Sequence, residues 1–185
     1  FRNSVSIGYC QGLNFIVGQI LLVTNLEEET FWIFTQLIEN YVPLDFYLKF
    51  SGVRVDMEIT KKMLIKKLPI IGKNEVFYLC INNLISRCFI SLYSETIKYD
   101  VLRIIWDALF IYGDPILFRT FTYIIYLFCD KKVEKYSLDK LLETLLNDME
   151  NISNTDLLNY FLLIDKTINT SLIKESRKKK RKAVY

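Results

Sequence analysis

The chain has 185 residues, enough for one well-buried domain and too few to expect two, and its 51% hydrophobic and 15% aromatic content excludes general disorder. It contains no histidine, which removes Ser-His-Asp and Cys-His catalysis and His-ligated metal sites. The net charge of +3 is uneven: residues 174–182 hold seven of the 24 basic residues and one of the 21 acids, leaving the rest of the chain at −3. A nucleic-acid binder should be basic over its folded face, so no nucleic acid is expected as a partner. Cys10, Cys80, Cys88 and Cys129 form no Cys-x-x-Cys pair, and read as free thiols of a reducing, cytoplasmic protein.

Phe1 begins no secretory signal, and without an initiator methionine the chain reads as an internal segment. Gly8 and Gly12 bracket Tyr9, Cys10 and Gln11 ahead of a long apolar run, a pattern that predicts a tight turn feeding a buried helix. Gln11 offers a donor and an acceptor and can orient a water without exchanging a proton; the local alternative is that it only ties down its own loop. Residues 3–26 carry no charge, but Gln11, Asn14, Gln19 and Asn25 interrupt them and the apolar portion is too short to cross a bilayer, so a central core helix is expected.

Asn25 with Glu28 predicts a capping box for a second helix, with Phe31, Phe34, Ile38 and Tyr41 on one face up to Pro43. Several short helices are expected over 44–98, broken by Gly52, Pro69 and Gly72. Val101, Ile104, Ile105, Ala108, Leu109 and Tyr112 form a helical stripe stopped by Gly113; Asp114 as cap and Pro115 then start an antiparallel partner helix. Ser137 is read as the cap of a helix striped by Leu138, Leu141, Leu142, Leu145 and Leu146, and Ser153 with Asp156 as the cap of another through Leu157, Phe161, Ile164 and Ile168. With no convincing strand pattern, the fold is all-α, an irregular multi-helix array, and the Lys/Arg-rich end is expected to be a solvated tail.

Ile7-Gly8-Tyr9-Cys10-Gln11-Gly12-Leu13-Asn14-Phe15 resembles the Tyr-x-Gln-Gly signature of TBC domains, helical activators of Rab-type small GTPases. Further blocks resemble the family in the same order: Glu28-Glu29-Thr30-Phe31-Trp32, Leu68-Pro69, Val101 to Asp107, and Gly113 followed by Ile116 to Arg119. The resemblance covers roughly residues 5–130 and departs at Cys88-Phe89, where the family usually has Trp-Phe and where Phe77 or Tyr93 is expected to compensate. It implies that 1–173 is the C-terminal part of a TBC/Rab-GAP domain and 174–185 a basic tail. Trp32 and Trp106 are read as core residues, and Asp107 as making a structural hydrogen bond and not a catalytic one.

An activator of this family supplies an arginine from Ile-x-x-Asp-x-x-Arg and a glutamine that orders the attacking water. The glutamine maps onto Gln11, with Gly8, Tyr9 and Gly12 shaping its loop, and the implied partner is a GTP-bound Rab that brings its own GTP and Mg²⁺, the protein needing no cofactor. Only ten residues precede Gln11. The chain is therefore read as carrying no arginine motif, its finger is expected upstream, and the segment alone is expected to be nearly inactive. The resemblance further implies vesicle trafficking as the setting; the basic tail itself is read as a linker into a longer protein, with peripheral endomembrane contact through acidic lipids, or nuclear import, as the alternatives. The alternative function is a TBC-like module that binds a Rab without accelerating hydrolysis.

Overall fold

The computed structural model describes residues 10–43, 45–47, 50–129, 137–157, 168 and 170–184. Within them the chain is helical and contains no strand. Helix α1 spans Leu13–Thr24, α2 Glu27–Gln36 with a π-helical continuation Leu37–Tyr41, α3 Ser51–Lys67, α4 Ile70–Lys73 and α5 Glu75–Ile90. Then come α6 at Tyr99–Tyr112, α7 at Pro115–Cys129, α8 at Leu138–Glu150 and α9 at Thr170–Val184. The all-α array is as expected, but α3 and α5 are long helices where several short ones were predicted. Gly52 does not break the chain; it lies in the first turn of α3, where a Cβ would stand 2.7 Å from the Phe46 Cα. The small residue lets the preceding backbone cross the helix start.

Helix α5 is the axis of the packing, touching α3, α4, α7 and α8. Its inward face, Phe77, Cys80, Ile81, Leu84, Ile85, Cys88 and Phe89, is fully buried. Phe89 meets Phe118 and Phe121 of α7 edge-on, with ring centroids 5.4 and 6.2 Å away, the arrangement aromatic quadrupoles favour. Tyr93 is fully buried beside Cys88, its N–H donating to the Cys88 carbonyl at 2.7 Å, whereas Phe77 lies three turns earlier on the same helix, about 16 Å along its axis, so of the two expected side chains only Tyr93 stands at the position where the family usually carries tryptophan. The turn after α5 places Leu92 at φ 48° and Tyr93 at φ 70°, a left-handed backbone that costs L residues roughly 1–3 kcal/mol each. Two buried hydrogen bonds hold it: Trp106 Nε1–H donates to the Leu92 carbonyl at 2.9 Å, and the Tyr93 hydroxyl to the Leu117 carbonyl at 2.6 Å. Trp106 is thus a core residue with a specific bond.

Burial pushes the thiols of Cys80 and Cys88 up from 9.0 to about 12. A raised folded-state value means that these thiols favour folding below about pH 9 and that this contribution is lost as pH rises towards 12. Both thiols are therefore expected to resist iodoacetamide at pH 8 in the native protein and to react once urea unfolds it. Rapid native labelling of either would contradict their placement.

Other expectations are corrected. Trp32 is 58% exposed, and α1 buries only Ile16 and Ile20 while Leu22, Val23 and Leu26 beyond it face outward. An all-round apolar sequence does not say how many sides a helix has covered. Asn25 does not cap α2; it takes the left-handed conformation (φ 55°) and closes α1, its N–H donating to the Leu21 carbonyl, while Leu26 is the N-cap of α2. Asn tolerates that conformation better than other non-glycine residues. Ser137 stands at the N-cap of α8 without a side-chain cap bond, whereas Ser153 and Asp156 form the reciprocal box predicted, at 3.1 and 3.3 Å. Phe161, Ile164 and the side chain of Cys129 lie outside the described residues. Asp107 is exposed, and its side chain makes no hydrogen bond to a described residue.

The basic end is not a solvated tail. It is the helix α9, packed on α3, with Ile173 and Arg177 buried. Arg177 donates from Nε and Nη2 to the two carboxylate oxygens of Asp56 on α3, both at 2.7 Å, and from Nη1 to Asp114 at the α6–α7 turn. The guanidinium also lies 5.5 Å from the Phe118 ring centroid. Burial by itself opposes its charge, but the two carboxylates outweigh it and hold Arg177 above the ordinary arginine range.

Candidate functional site

The turn before α1 is shaped by short-range bonds: Leu13 N–H donates to the Cys10 carbonyl at 3.2 Å and Gly12 N–H to Asn14 Oδ1 at 3.2 Å. Gly12 has φ 108°, and a Cβ there would stand 2.8 Å from Ile90 Cγ2 at the end of α5. Both the backbone conformation and the close approach require glycine. On the other flank, Cys10 is 5% exposed and Tyr47 donates its hydroxyl hydrogen to the Ile90 carbonyl at 3.0 Å. Burial, and then the nearby Cys10, raise the ionisation of Tyr47 well above its usual value, so it remains a neutral donor. The turn is therefore clamped between Tyr47 and the end of α5.

Gln11 stands at the tip of this turn. It is exposed, and its amide has no hydrogen bond to a described residue; only its backbone carbonyl is engaged, by Cys10 Sγ at 3.3 Å. No described residue ties the Gln11 amide into its loop. The side chain is exposed, just ahead of the electropositive N-terminal end of α1. Of the residues expected to shape the Gln11 loop, Gly12 lies against Ile90 at φ 108°, and Gly8 and Tyr9 lie outside the described residues. Tyr47 and Ile90 were missed, because no local pattern reveals that two distant elements meet at a turn.

Gly12→Ala is expected to cost roughly 1–3 kcal/mol, since alanine meets both a disfavoured φ and the Ile90 side chain. Thermal denaturation measures this, and an unchanged midpoint would mean that the turn does not rest on α5.

The expectation that the chain carries no Ile-x-x-Asp-x-x-Arg spacing is corrected. Ile97, Asp100 and Arg103 have it, but they follow the glutamine turn instead of preceding it. Ile97 is 5% exposed ahead of α6. Arg103 is exposed on α6, with its guanidinium 5.6 Å from the Tyr99 ring centroid.

No helix among the described residues is long and apolar enough to cross a membrane. The sequence matches the family described as RabGAP-TBC, Rab-GTPase-TBC domain, over residues 2–133. It is 35% identical over 119 residues to growth hormone-regulated TBC protein 1 of Xenopus laevis. Identity to the human protein of that name is 36% over 119 residues, and each alignment covers 64% of this chain and 35% of the relative. Mouse TBC1 domain family member 2B is 33% identical over 115 residues, covering 61% of this chain and 12% of that protein. The chain thus spans about a third or less of the length of these relatives. The crystal structure of the Chlamydomonas flagellar RabGAP TBC domain shares the fold, with a TM-score of 0.67, 23% identity, and coverage of 82% of this chain and 51% of that one. A match across more than half of the chain, on a fold of the same kind, makes this protein a member of the Rab-GTPase-TBC domain family.

Proposed function

We propose that the protein is a GTPase-activating protein for a GTP-bound Rab-type small GTPase, and that Gln11 orients the hydrolytic water. The observation that carries this reading is the exposed amide of Gln11, bonded to no described residue, on a turn held against the end of α5. A group that must hold a water in line with a phosphoryl group works by being positioned beforehand, because little covalent chemistry is left for the activator to perform. Exposed Phe15, Leu22 and Val23 on the same helix, with Leu26 and Trp32 beyond, supply an apolar surface of the kind a protein partner covers.

GTP and Mg²⁺ belong to the partner in this scheme, and the activator brings side chains only. Membership of the family points to vesicle trafficking on the cytoplasmic side of endomembranes, and the cations of α9 outside its ion cluster suit peripheral contact there. The test is GTP hydrolysis by a panel of GTP-loaded Rab proteins with a longer form of the protein and its Gln11→Ala variant. Stimulation lost in the variant supports the reading. Equal rates remove Gln11 from the mechanism, and binding without stimulation by either form leaves a Rab-binding module.

A further inference from the structure

Helices α3 and α9 enclose a groove of about 450 Å³ with an apolar floor that includes Ile59, Met63 and Leu172, and a rim of Lys62, Lys66, Lys179 and Lys180. Charge is poorly balanced there. Glu58 is shared by Lys61 and Lys180, the latter at 3.5 Å, while Lys62, Lys66 and Lys179 are exposed and pair with no described acid. Asp56 is consumed by Arg177, and Glu175, one turn before Lys179 on α9, is exposed and forms no ion pair with a described residue. The opposite flank of α9 carries two more exposed lysines, Lys174 and Lys178, along a second cleft.

These positions follow from Arg177. Because its guanidinium is drawn inward by Asp56 and Asp114, the helix cannot roll, and Lys179 is held facing Lys62 and Lys66 across the groove. A cationic rim over an apolar floor fits an amphiphile with a phosphate-bearing head. Cations on both flanks of α9 extend the field beyond a single channel, which fits a planar anionic surface better than one peptide. We propose that the α3–α9 groove receives anionic phospholipid headgroups, seating this face of the protein on a membrane. The proposal rests on the membrane contact suggested above for the basic end, and names its site.

The experiment is flotation of the 185-residue protein with phosphatidylcholine vesicles containing about 30% phosphatidylserine in about 0.1 M salt, against phosphatidylcholine alone. Each lysine near an anionic surface is worth about fivefold in partitioning, so Lys62→Gln with Lys66→Gln is expected to weaken binding about 25-fold. Both side chains are exposed and unpaired, so the circular dichroism melting midpoint should stay unchanged. Lys73→Gln with Lys140→Gln, on α4 and α8, removes equal charge elsewhere and is expected to leave binding within about twofold.

Equal loss in both pairs would mean a net-charge effect and overturn the groove. No anionic preference in the wild type would overturn both the groove and the membrane contact. Loss on Lys174→Gln with Lys178→Gln, but none on Lys62→Gln with Lys66→Gln, would overturn the groove and keep the membrane contact. A polyglutamate peptide that binds through Lys62 and Lys66 while vesicles do not would overturn the lipid in favour of an acidic protein partner.

Discussion

Gln11→Ala is expected to lower the stimulated rate of GTP hydrolysis on a responsive Rab by about 10²–10³-fold, the effect of removing one pre-organised hydrogen-bonding group from a transition state. That corresponds to about 3–4 kcal/mol of barrier. The loss should fall in kcat, because a group that holds water in line with the phosphoryl transfer acts in the transition state and adds little to the encounter. Partner affinity, measured with a non-hydrolysable GTP analogue bound to the Rab, should change less than about threefold. Gln11→Glu keeps the length but sets a negative charge beside the developing phosphoryl charge, and should be at least as damaging. The alanine variant should fold as well as the wild type, since the Gln11 side chain is exposed and has no described partner. A weakened affinity with unchanged kcat would reassign Gln11 from water positioning to docking.

Arg177→Met should destabilise the fold by about 3–5 kcal/mol, the usual result of leaving a buried charge without its partner. Asp56 has a side chain 1% exposed and Arg177 one 9% exposed, so neither can recover hydration in place. Methionine has a comparable length and flexibility and fills most of the space, which isolates the charge effect. Asp56→Asn with Arg177→Met should restore a substantial part of the loss, because removing both partners costs less than removing one. Lys178→Gln and Lys179→Gln, exposed neighbours on α9, should stay within about 0.5 kcal/mol of wild type. Urea unfolding measures all four proteins. If Arg177→Met matched the lysine variants, α9 would not be docked as described. Deleting residues 174–182 would strand Asp56 as well, so loss of lipid contact in such a deletion would not separate charge from folding.

Much of this protein was readable in its sequence because the signals were local. Ile105 and Leu109 of α6, and Leu141 and Leu145 of α8, fall on helical stripes and are buried as predicted. The glutamine turn was legible because Gly8 and Gly12 bracket it, and the ordered blocks from Gln11 to Arg119 pointed to the family that the comparison then showed. These features depend on spacing within one or two turns of chain, which propensity and capping chemistry determine.

Tertiary packing decided the rest. The sequence alone established an all-α chain and a glycine-bracketed turn at Gln11, but not which sides of α1 and α2 are covered, so Trp32 was misplaced inside and α1 was read as surrounded. Nor did it show that Tyr47 and Ile90 clamp the Gln11 turn, or that Arg177 at the basic end turns inward. Asp56 did sit among the apolar residues of α3, a charge out of place that asked for a partner; the partner lies 121 residues away. A run of lysines and arginines reads as solvated by composition. Only when a folded surface offers buried carboxylates does Coulomb attraction in a poorly hydrated site outweigh the cost of desolvating an arginine.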